Sequence, residues 1–214
     1  FSTNVFDFWA EYNKPEHVYK INNLVAVLPK KNASTHYWTL FTENRFPKIQ
    51  FNQIDWQNDH VFSFIQDPIV RYKKGLTEDV LVYTKYHDMY LDFLVKTKSD
   101  TAVVSDHTCT LFVEYGLHCL NIDWIPIDQH FHSDNAVKKL FNYYNIDIDF
   151  DLPHRSNTAD KQKTQLYTTI DNEIGTGNVF LYKYLAFDID LYNNVCKQFD
   201  ESKHLWPEIS WLTS

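Results

Sequence analysis

Short apolar runs alternate along this chain with longer segments in which apolar residues recur every three or four positions. We interpret the runs at 24–28, 60–66, 101–105 and 122–128 as buried strands, because they are short and rich in β-branched and aromatic residues. Strands that alternate with helices predict a three-layer α/β fold, in which helices cover both faces of a central parallel sheet.

The predicted helices lie between these strands and after the last of them. A polar, irregular stretch is expected at 147–165, and no repeat, low-complexity tract or Pro/Gly/Ser-rich linker divides the chain. The pattern therefore predicts a single domain over residues 1–214. The segments with helical spacing are 36–45, 69–97, 108–116, 133–145 and 178–199, the last expected as one long helix.

Composition and charge argue against two classes of protein, nucleic-acid coats and small kinase-like enzymes. The 20 Lys and Arg residues are outnumbered by 28 Asp and Glu, which gives a net charge of −8. Such a chain lacks the broad positive field of a nucleic-acid coat, so an anionic ligand has to meet a local basic patch. Only four glycines occur, and neither G-x-G-x-x-G nor G-x-x-x-x-G-K-[ST] is present, which argues against a small kinase-like enzyme. The three cysteines cannot form a fully paired disulfide framework.

Nothing in the hydropathy pattern predicts a membrane span. The longest uninterrupted apolar run is 24–28, far shorter than the roughly 20 residues that cross a bilayer. The first residues, FSTNVFDFWAEYNK, have neither a basic start nor the apolar segment of a secretory leader, and the chain does not begin with Met. We expect a fragment, or a chain that has lost upstream residues.

An anion-binding loop is predicted directly after the first buried run. The run at 24–28 continues into PKKNAST (29–35) and then into a helix. Ligands of parallel α/β sheets bind at the carboxyl ends of strands. A helix N-terminus there offers N–H donors, the lysines offer charge, and Ser34 and Thr35 offer hydroxyls. The alternative is a capped helix that carries two solvated lysines.

Two segments resemble motifs of the sulfotransferases that use 3′-phosphoadenosine 5′-phosphosulfate (PAPS). VLPKKNAST resembles the family's 5′-phosphosulfate-binding loop, P-K-x-A-S-T, and FIQDPIVRY resembles its 3′-phosphate motif, F-V-R-D-P-x-x-R-F. The later segments IDWIPID, AVKKLFNYYNID, LPHRSNTADK and LAFDIDLYNNV follow in the family's order. The chain is most similar to the carbohydrate-sulfotransferase branch and its small bacterial or viral relatives.

The resemblance implies a P-loop-like fold and in-line transfer of a sulfuryl group from PAPS to a hydroxyl or amine, without a metal. The acceptor would be a glycan or a small molecule. Lys31 would be the catalytic lysine, with Lys30 as the alternative. The residues expected to bind the cofactor are Lys30, Lys31, Asn32, Ala33, Ser34, Thr35, Gln66, Arg71, Lys74, Arg155 and Asn157.

Two positions depart from the family pattern. Gln66 stands where the family has Arg, and Lys74 stands where it has Ser; both usual residues contact the 3′-phosphate. Lys74 would restore the charge that Gln66 lacks, while Lys73 is expected to be solvated. The alternative is a sulfotransferase-like binding or structural protein that has lost catalysis.

A general base is needed to take the proton of the acceptor, and histidine suits neutral pH. His107 is our first candidate because it follows the predicted strand at 101–105. His36, next to the loop, and an acidic residue are the alternatives, whereas His60 begins its strand at the wrong end of the sheet. Arg155 and Asn157 lie in a basic stretch with Lys161 and Lys163, which would either close over the cofactor or form an ordinary surface loop.

One short pattern bears on the compartment. Asn32-Ala33-Ser34 is an N-glycosylation acceptor sequence inside the proposed loop, and a glycan there would block the site. We therefore expect a non-secretory, cytoplasmic protein from a bacterial or viral setting.

Overall fold

A computed structural model describes residues 17–32, 34–82, 108, 110, 111, 121–127, 133–150, 161–174 and 179–199. Within these ranges it contains five strands and six α-helices, with a 3₁₀ helix at Phe51–Gln53. The strands are β1 (His17–Ile21), β2 (Leu24–Leu28), β3 (Lys48–Ile49), β4 (His60–Ile65) and β5 (Asp123–Pro126). The helices are α1 (Ser34–Glu43), α2 (Pro68–Val82), α3 (Ser133–Tyr143), α4 (Lys161–Ile174), α5 (Val179–Tyr184) and α6 (Ala186–Gln198).

The five strands form one mixed sheet in the order β3-β1-β2-β4-β5. β2, β4 and β5 are parallel, as the apolar runs predict. β1 and β3 are antiparallel additions, so the expectation of a fully parallel sheet is wrong. β1 joins β2 through the two-residue turn Asn22-Asn23, in which Asn22 has φ 54°. A positive φ is what such tight hairpin turns require.

Helices cover both faces of the sheet, which confirms the α/β class. Leu24, Ala26 and Leu28 of β2 face a core that includes residues of α1 and α3. Tyr37 of α1 stacks on Phe64 of β4 in this core, with ring centroids 3.8 Å apart. On the opposite face, Val25 and Val27 belong to a second core, against which α6 packs. The alternation follows from the period of two in a strand.

A third apolar cluster joins α2 to α4 and α5. Tyr72, Leu76 and Val80 of α2 share it with Ile170 and Ile174 of α4 and with Leu181 and Leu185. This packing places α4 alongside α2, the helix that follows β4. Side chains of α4 can therefore reach the carboxyl end of the sheet.

The predicted single helix at 178–199 is two helices. α5 ends at Tyr184, and α6 begins at Ala186 after a turn at Leu185. Leu181 and Leu185 pack in the α2–α4 cluster, whereas Leu191 and Val195 pack against the sheet. After the turn, Ile189 at the start of α6 still packs in the α2–α4 cluster, and the later part of α6 packs against the sheet.

Several other predicted bounds also change. The helix expected at 36–45 is α1 and begins earlier, at Ser34. The stretch 147–165 was expected to be irregular, but α4 begins inside it at Lys161. The helix expected at 69–97 is described only as far as Val82, and the strand expected at 101–105 lies outside the described residues. No helix in the described part of the chain has the length and apolarity needed to cross a membrane.

Candidate anion-binding site

The loop after β2 and the segment after β4 lie at the same edge of the sheet. β2 and β4 are adjacent and parallel, so their carboxyl ends coincide. Lys30, Lys31 and Asn32 follow β2, and Gln66 follows β4 at the start of the segment that leads into α2. Ala33 lies outside the described residues. Ser34 and Thr35 begin α1, and nothing is described of their side chains.

Asn32 anchors the loop to β4. Its backbone N–H donates to the Pro29 carbonyl at 3.3 Å, and its Oδ1 accepts the N–H of Gln66 at 3.1 Å. The side chain of Asn32 is fully buried, yet its Nδ2 has no hydrogen-bond partner among the described residues. A buried amide donor without an acceptor costs free energy, and a ligand oxygen can supply the acceptor.

Lys31 adopts a backbone conformation that is usual for glycine. Its φ is 63°, in the left-handed region, which costs a non-glycine residue about 1 kcal/mol. Such strain persists only where surrounding contacts hold it, and it occurs often at binding sites. Here the hydrogen bonds of Asn32 to Pro29 and Gln66 hold the backbone on one side. The Lys31 carbonyl, which accepts from Gln66 Nε2, holds it on the other.

Arg71 braces the loop from inside the protein. Its side chain is 1% exposed, and Nε donates to the Lys30 carbonyl at 3.3 Å. Arg71 Nη1 lies 3.9 Å from Oδ2 of Asp188, a buried residue of α6 whose Oδ2 also accepts the N–H of Leu111 at 2.8 Å. Asp188 lies in the LAFDIDLYNNV motif, whose pattern alone does not reveal this contact with Arg71. Direct contact between Arg71 and a cofactor stays a prediction.

Two lysines contact one carboxylate at this edge and a third, Lys74, lies near those lysines, and we call Lys31, Lys74, Lys163 and Glu78 the lysine cluster. Oε2 of Glu78 lies 2.6 Å from Lys163 Nζ and 3.3 Å from Lys31 Nζ. The Gln66 amide satisfies both of its neighbours when Nε2 donates to the Lys31 carbonyl at 3.1 Å and Oε1 accepts from Lys74 Nζ at 2.7 Å. The cluster therefore carries three positive charges and one negative charge.

Burial and neighbouring charges shift the pKa values of Lys31, Lys74 and Glu78 in the lysine cluster. Burial lowers the pKa of Lys31 from its ordinary value, although Glu78 counteracts the effect. Burial also lowers the pKa of Lys74, and the charges of Lys31 and Lys163 lower it further. For Glu78, burial acts to raise the pKa, but the contacts with Lys163 and Lys31 outweigh burial and lower it. A further anion would relieve the excess positive charge.

Lys73 is not solvated, contrary to expectation. It is 5% exposed, and its Nζ lies 2.6 Å from Oδ1 of Asp171 on α4. The expectation failed because α4, which covers this side of α2, was not predicted there. Lys73 therefore belongs to the contact between α2 and α4.

The histidine candidates fall in different places. His107 lies outside the described residues, as do Arg155 and Asn157. His36 lies in the first turn of α1, with Nε2 3.3 Å from Oδ1 of Asp134 in the first turn of α3. His60 begins β4 at the amino end of the strand, as predicted. Its Nε2 lies 2.6 Å from Oδ2 of Asp123, and its Nδ1 lies 2.9 Å from the hydroxyl of Tyr144.

Within the ranges that the structure describes, no group of three or more His, Cys, Asp or Glu side chains could hold a metal ion.

Comparisons with known proteins do not assign a family: no protein-family model, curated protein or solved structure matches this chain. The geometry of the loop and the lysine cluster is therefore the basis for a functional assignment.

Proposed function

We propose that the protein is a PAPS-dependent sulfotransferase that acts on a hydroxyl or amine of a glycan or small-molecule acceptor. One observation carries the proposal: Gln66, which follows β4, joins the backbone carbonyl of Lys31 on the loop after β2, at 3.1 Å, to Lys74 Nζ on α2, at 2.7 Å. These residues come from the two segments that resemble the 5′- and 3′-phosphate motifs. Their convergence at the carboxyl ends of adjacent parallel strands supports a ligand with two anionic groups.

The residues at this edge suit such a cofactor chemically. The excess positive charge of the lysine cluster and the unpaired Nδ2 of Asn32 both favour phosphate oxygens. Lys31 would hold the 5′-phosphosulfate and offset negative charge on its phosphate oxygens, whereas Gln66 and Lys74 would hold the 3′-phosphate. When bound, PAPS supplies the sulfuryl group, whose bond to the phosphate oxygen breaks as a bond to the acceptor oxygen forms.

The remaining roles concern the proton and the shape of the loop. A general base takes the acceptor proton, and His107 is the first candidate with His36 as the second. Asp134 contacts Nε2 of His36 at 3.3 Å and would orient the imidazole if His36 is the base. Arg71, through its hydrogen bond to the Lys30 carbonyl, would keep the loop in a binding conformation.

A second candidate function is binding without turnover. Gln66 replaces the arginine of the family motif, and Lys31 already contacts the carboxylate of Glu78. Both features reduce the positive charge available to the cofactor. A protein of this kind would bind adenosine 3′,5′-bisphosphate, the product of PAPS, but would not transfer sulfate.

Two measurements separate these functions. Adenosine 3′,5′-bisphosphate at about 100 times its Kd should stabilise the protein by about 2.7 kcal/mol, or about 5 to 10 °C in Tm. Incubation with ³⁵S-labelled PAPS and a panel of glycans and small hydroxyl or amine compounds should label one acceptor class. The absence of a shift at millimolar ligand would refute both functions, and a shift without transfer to any acceptor would favour binding alone.

The proposed setting is non-secretory and cytoplasmic. Asn32, the acceptor position of the glycosylation sequence, is fully buried between the loop and β4. A glycan on this side chain is incompatible with the described loop. Expression with a secretory leader in a glycosylating host should therefore yield unmodified or misfolded protein, which mass spectrometry and a thermal melt would distinguish.

A further inference from the structure

The carboxylate of Glu78 takes the place that an anionic ligand would take in the lysine cluster. One of its oxygens, Oε2, accepts contacts from Lys163 at 2.6 Å and Lys31 at 3.3 Å. These lysines come from two separate elements, α4 and the loop after β2. Charged hydrogen bonds of this kind are also what hold a phosphate oxygen.

The lysine cluster is accessible to solvent and therefore to a ligand. The side chains of Lys31, Glu78 and Lys163 are 23%, 25% and 33% exposed. Glu78 lies four residues after Lys74 on α2, so both side chains project from the same face of the helix. A phosphate group that enters here meets the ammonium groups of Lys31 and Lys163 together with the carboxylate.

We propose that Glu78 is an internal counter-ion that competes with ligand phosphate for Lys31 and Lys163, and that Lys163 is a further phosphate-binding residue. The inference rests on the proposed function for the identity of the ligand as PAPS. That the ligand carries phosphate groups is argued from the lysine cluster itself. The resemblance assigns neither Glu78 nor Lys163 a role. Because two of the three lysines must exchange one partner for another, the carboxylate sets the affinity of the site for phosphate groups.

The alternative is that Glu78 positions the lysines for the ligand. The two roles make opposite predictions for the loss of its charge. If Glu78 competes with the ligand, Glu78→Gln should tighten ligand binding. If Glu78 positions the lysines, the same change should weaken ligand binding.

The experiment measures binding to the full chain by titration calorimetry with two probes, adenosine 3′,5′-bisphosphate and inorganic phosphate. Glu78→Gln should lower the Kd of both probes about tenfold, and Lys163→Gln should raise both about tenfold, the size of one charged hydrogen bond. Glu43→Gln on α1 and Lys197→Gln on α6 make the same charge changes at exposed positions, and we expect less than twofold effects from them. Glu78→Ala serves as a second variant should Glu78→Gln not fold.

The outcomes are distinguishable from those of the proposed function. Weaker or unchanged binding in the folded Glu78 variants would overturn the inference, even if the wild type binds adenosine 3′,5′-bisphosphate. Unchanged binding in Lys163→Gln would overturn the role of Lys163. If the wild type fails to bind the nucleotide, but its phosphate binding tightens in Glu78→Gln and weakens in Lys163→Gln, the inference holds and the PAPS assignment fails.

Discussion

The buried pair of Arg71 and Asp188 gives the sharpest test of how the loop is held. Both side chains are 1% exposed, with Nη1 and Oδ2 3.9 Å apart. At an effective dielectric constant of about 20, the attraction at this distance is about 4 kcal/mol. Desolvation offsets much of that in the intact pair, but a single substitution removes one partner and leaves the other charge buried.

We therefore expect Arg71→Met to lower the free energy of unfolding by about 3 to 4 kcal/mol. The estimate lies at the lower end of the usual 3 to 5 kcal/mol because Asp188 keeps its hydrogen bond from Leu111 at 2.8 Å. Asp188→Asn should also destabilise the protein, since it leaves the guanidinium buried. The double variant should lose less than the sum of the two, with a coupling of about 1 to 3 kcal/mol.

Urea unfolding followed by tryptophan fluorescence measures these free energies, since Trp56 and Trp124 pack against the sheet. Glu43→Gln, at an exposed position of α1, is the control and should change the free energy by less than about 0.5 kcal/mol. If the losses of the two single variants add up in the double variant, or if Arg71→Met loses less than about 1 kcal/mol, the pair does not stabilise the fold as argued.

Three further predictions concern the lysines. Lys31→Ala should reduce sulfate transfer at least about a hundredfold but change Tm by only a few degrees; comparable losses of turnover and stability would contradict its role. Asp171→Ala should destabilise the protein by about 1 to 3 kcal/mol in urea, because Lys73 is buried against it at 2.6 Å; an unchanged midpoint would refute that pairing. Because burial lowers the pKa of Lys31 and Lys74 below 10.5, phosphate binding should weaken as pH rises towards that value. In the same window the unfolded chain holds more protons on these two lysines, so their own contribution to stability should rise with pH. Because the raised pKa of Tyr144 acts in the opposite direction, urea melts should compare the wild type with Lys31→Ala at each pH, while calorimetry follows phosphate binding.

The parallel strands were predictable because each is a compact apolar run. β2 and β4 are buried almost throughout and sit in the middle of the sheet, where both faces require apolar residues. β1 was missed because HVYKI is more polar than LVAVL, which has the same length, and its pairing with β2 and β3 makes it a strand. Tertiary context decides strands of this kind.

The candidate site was predictable only where two motifs carry it. The resemblance selected Lys31, Gln66 and Lys74, and these residues do converge at one edge. Lys163 and Glu78 come together because Ile170 and Ile174 of α4 pack against α2. No local pattern encodes that contact, so sequence spacing alone does not reveal the carboxylate that Lys31 and Lys163 share.

The proposed anion site contains no glycine. Glycine-rich loops bring backbone N–H groups to a phosphate at little conformational cost. Here Lys31 takes the left-handed conformation, and the buried Asn32 side chain ties the loop to β4 and offers an amide donor. Arg71 holds the Lys30 carbonyl from below. Fixed side chains and a braced backbone thus take over the role of glycine, and a change at Asn32 or Arg71 should alter the geometry of the loop even though its lysines remain.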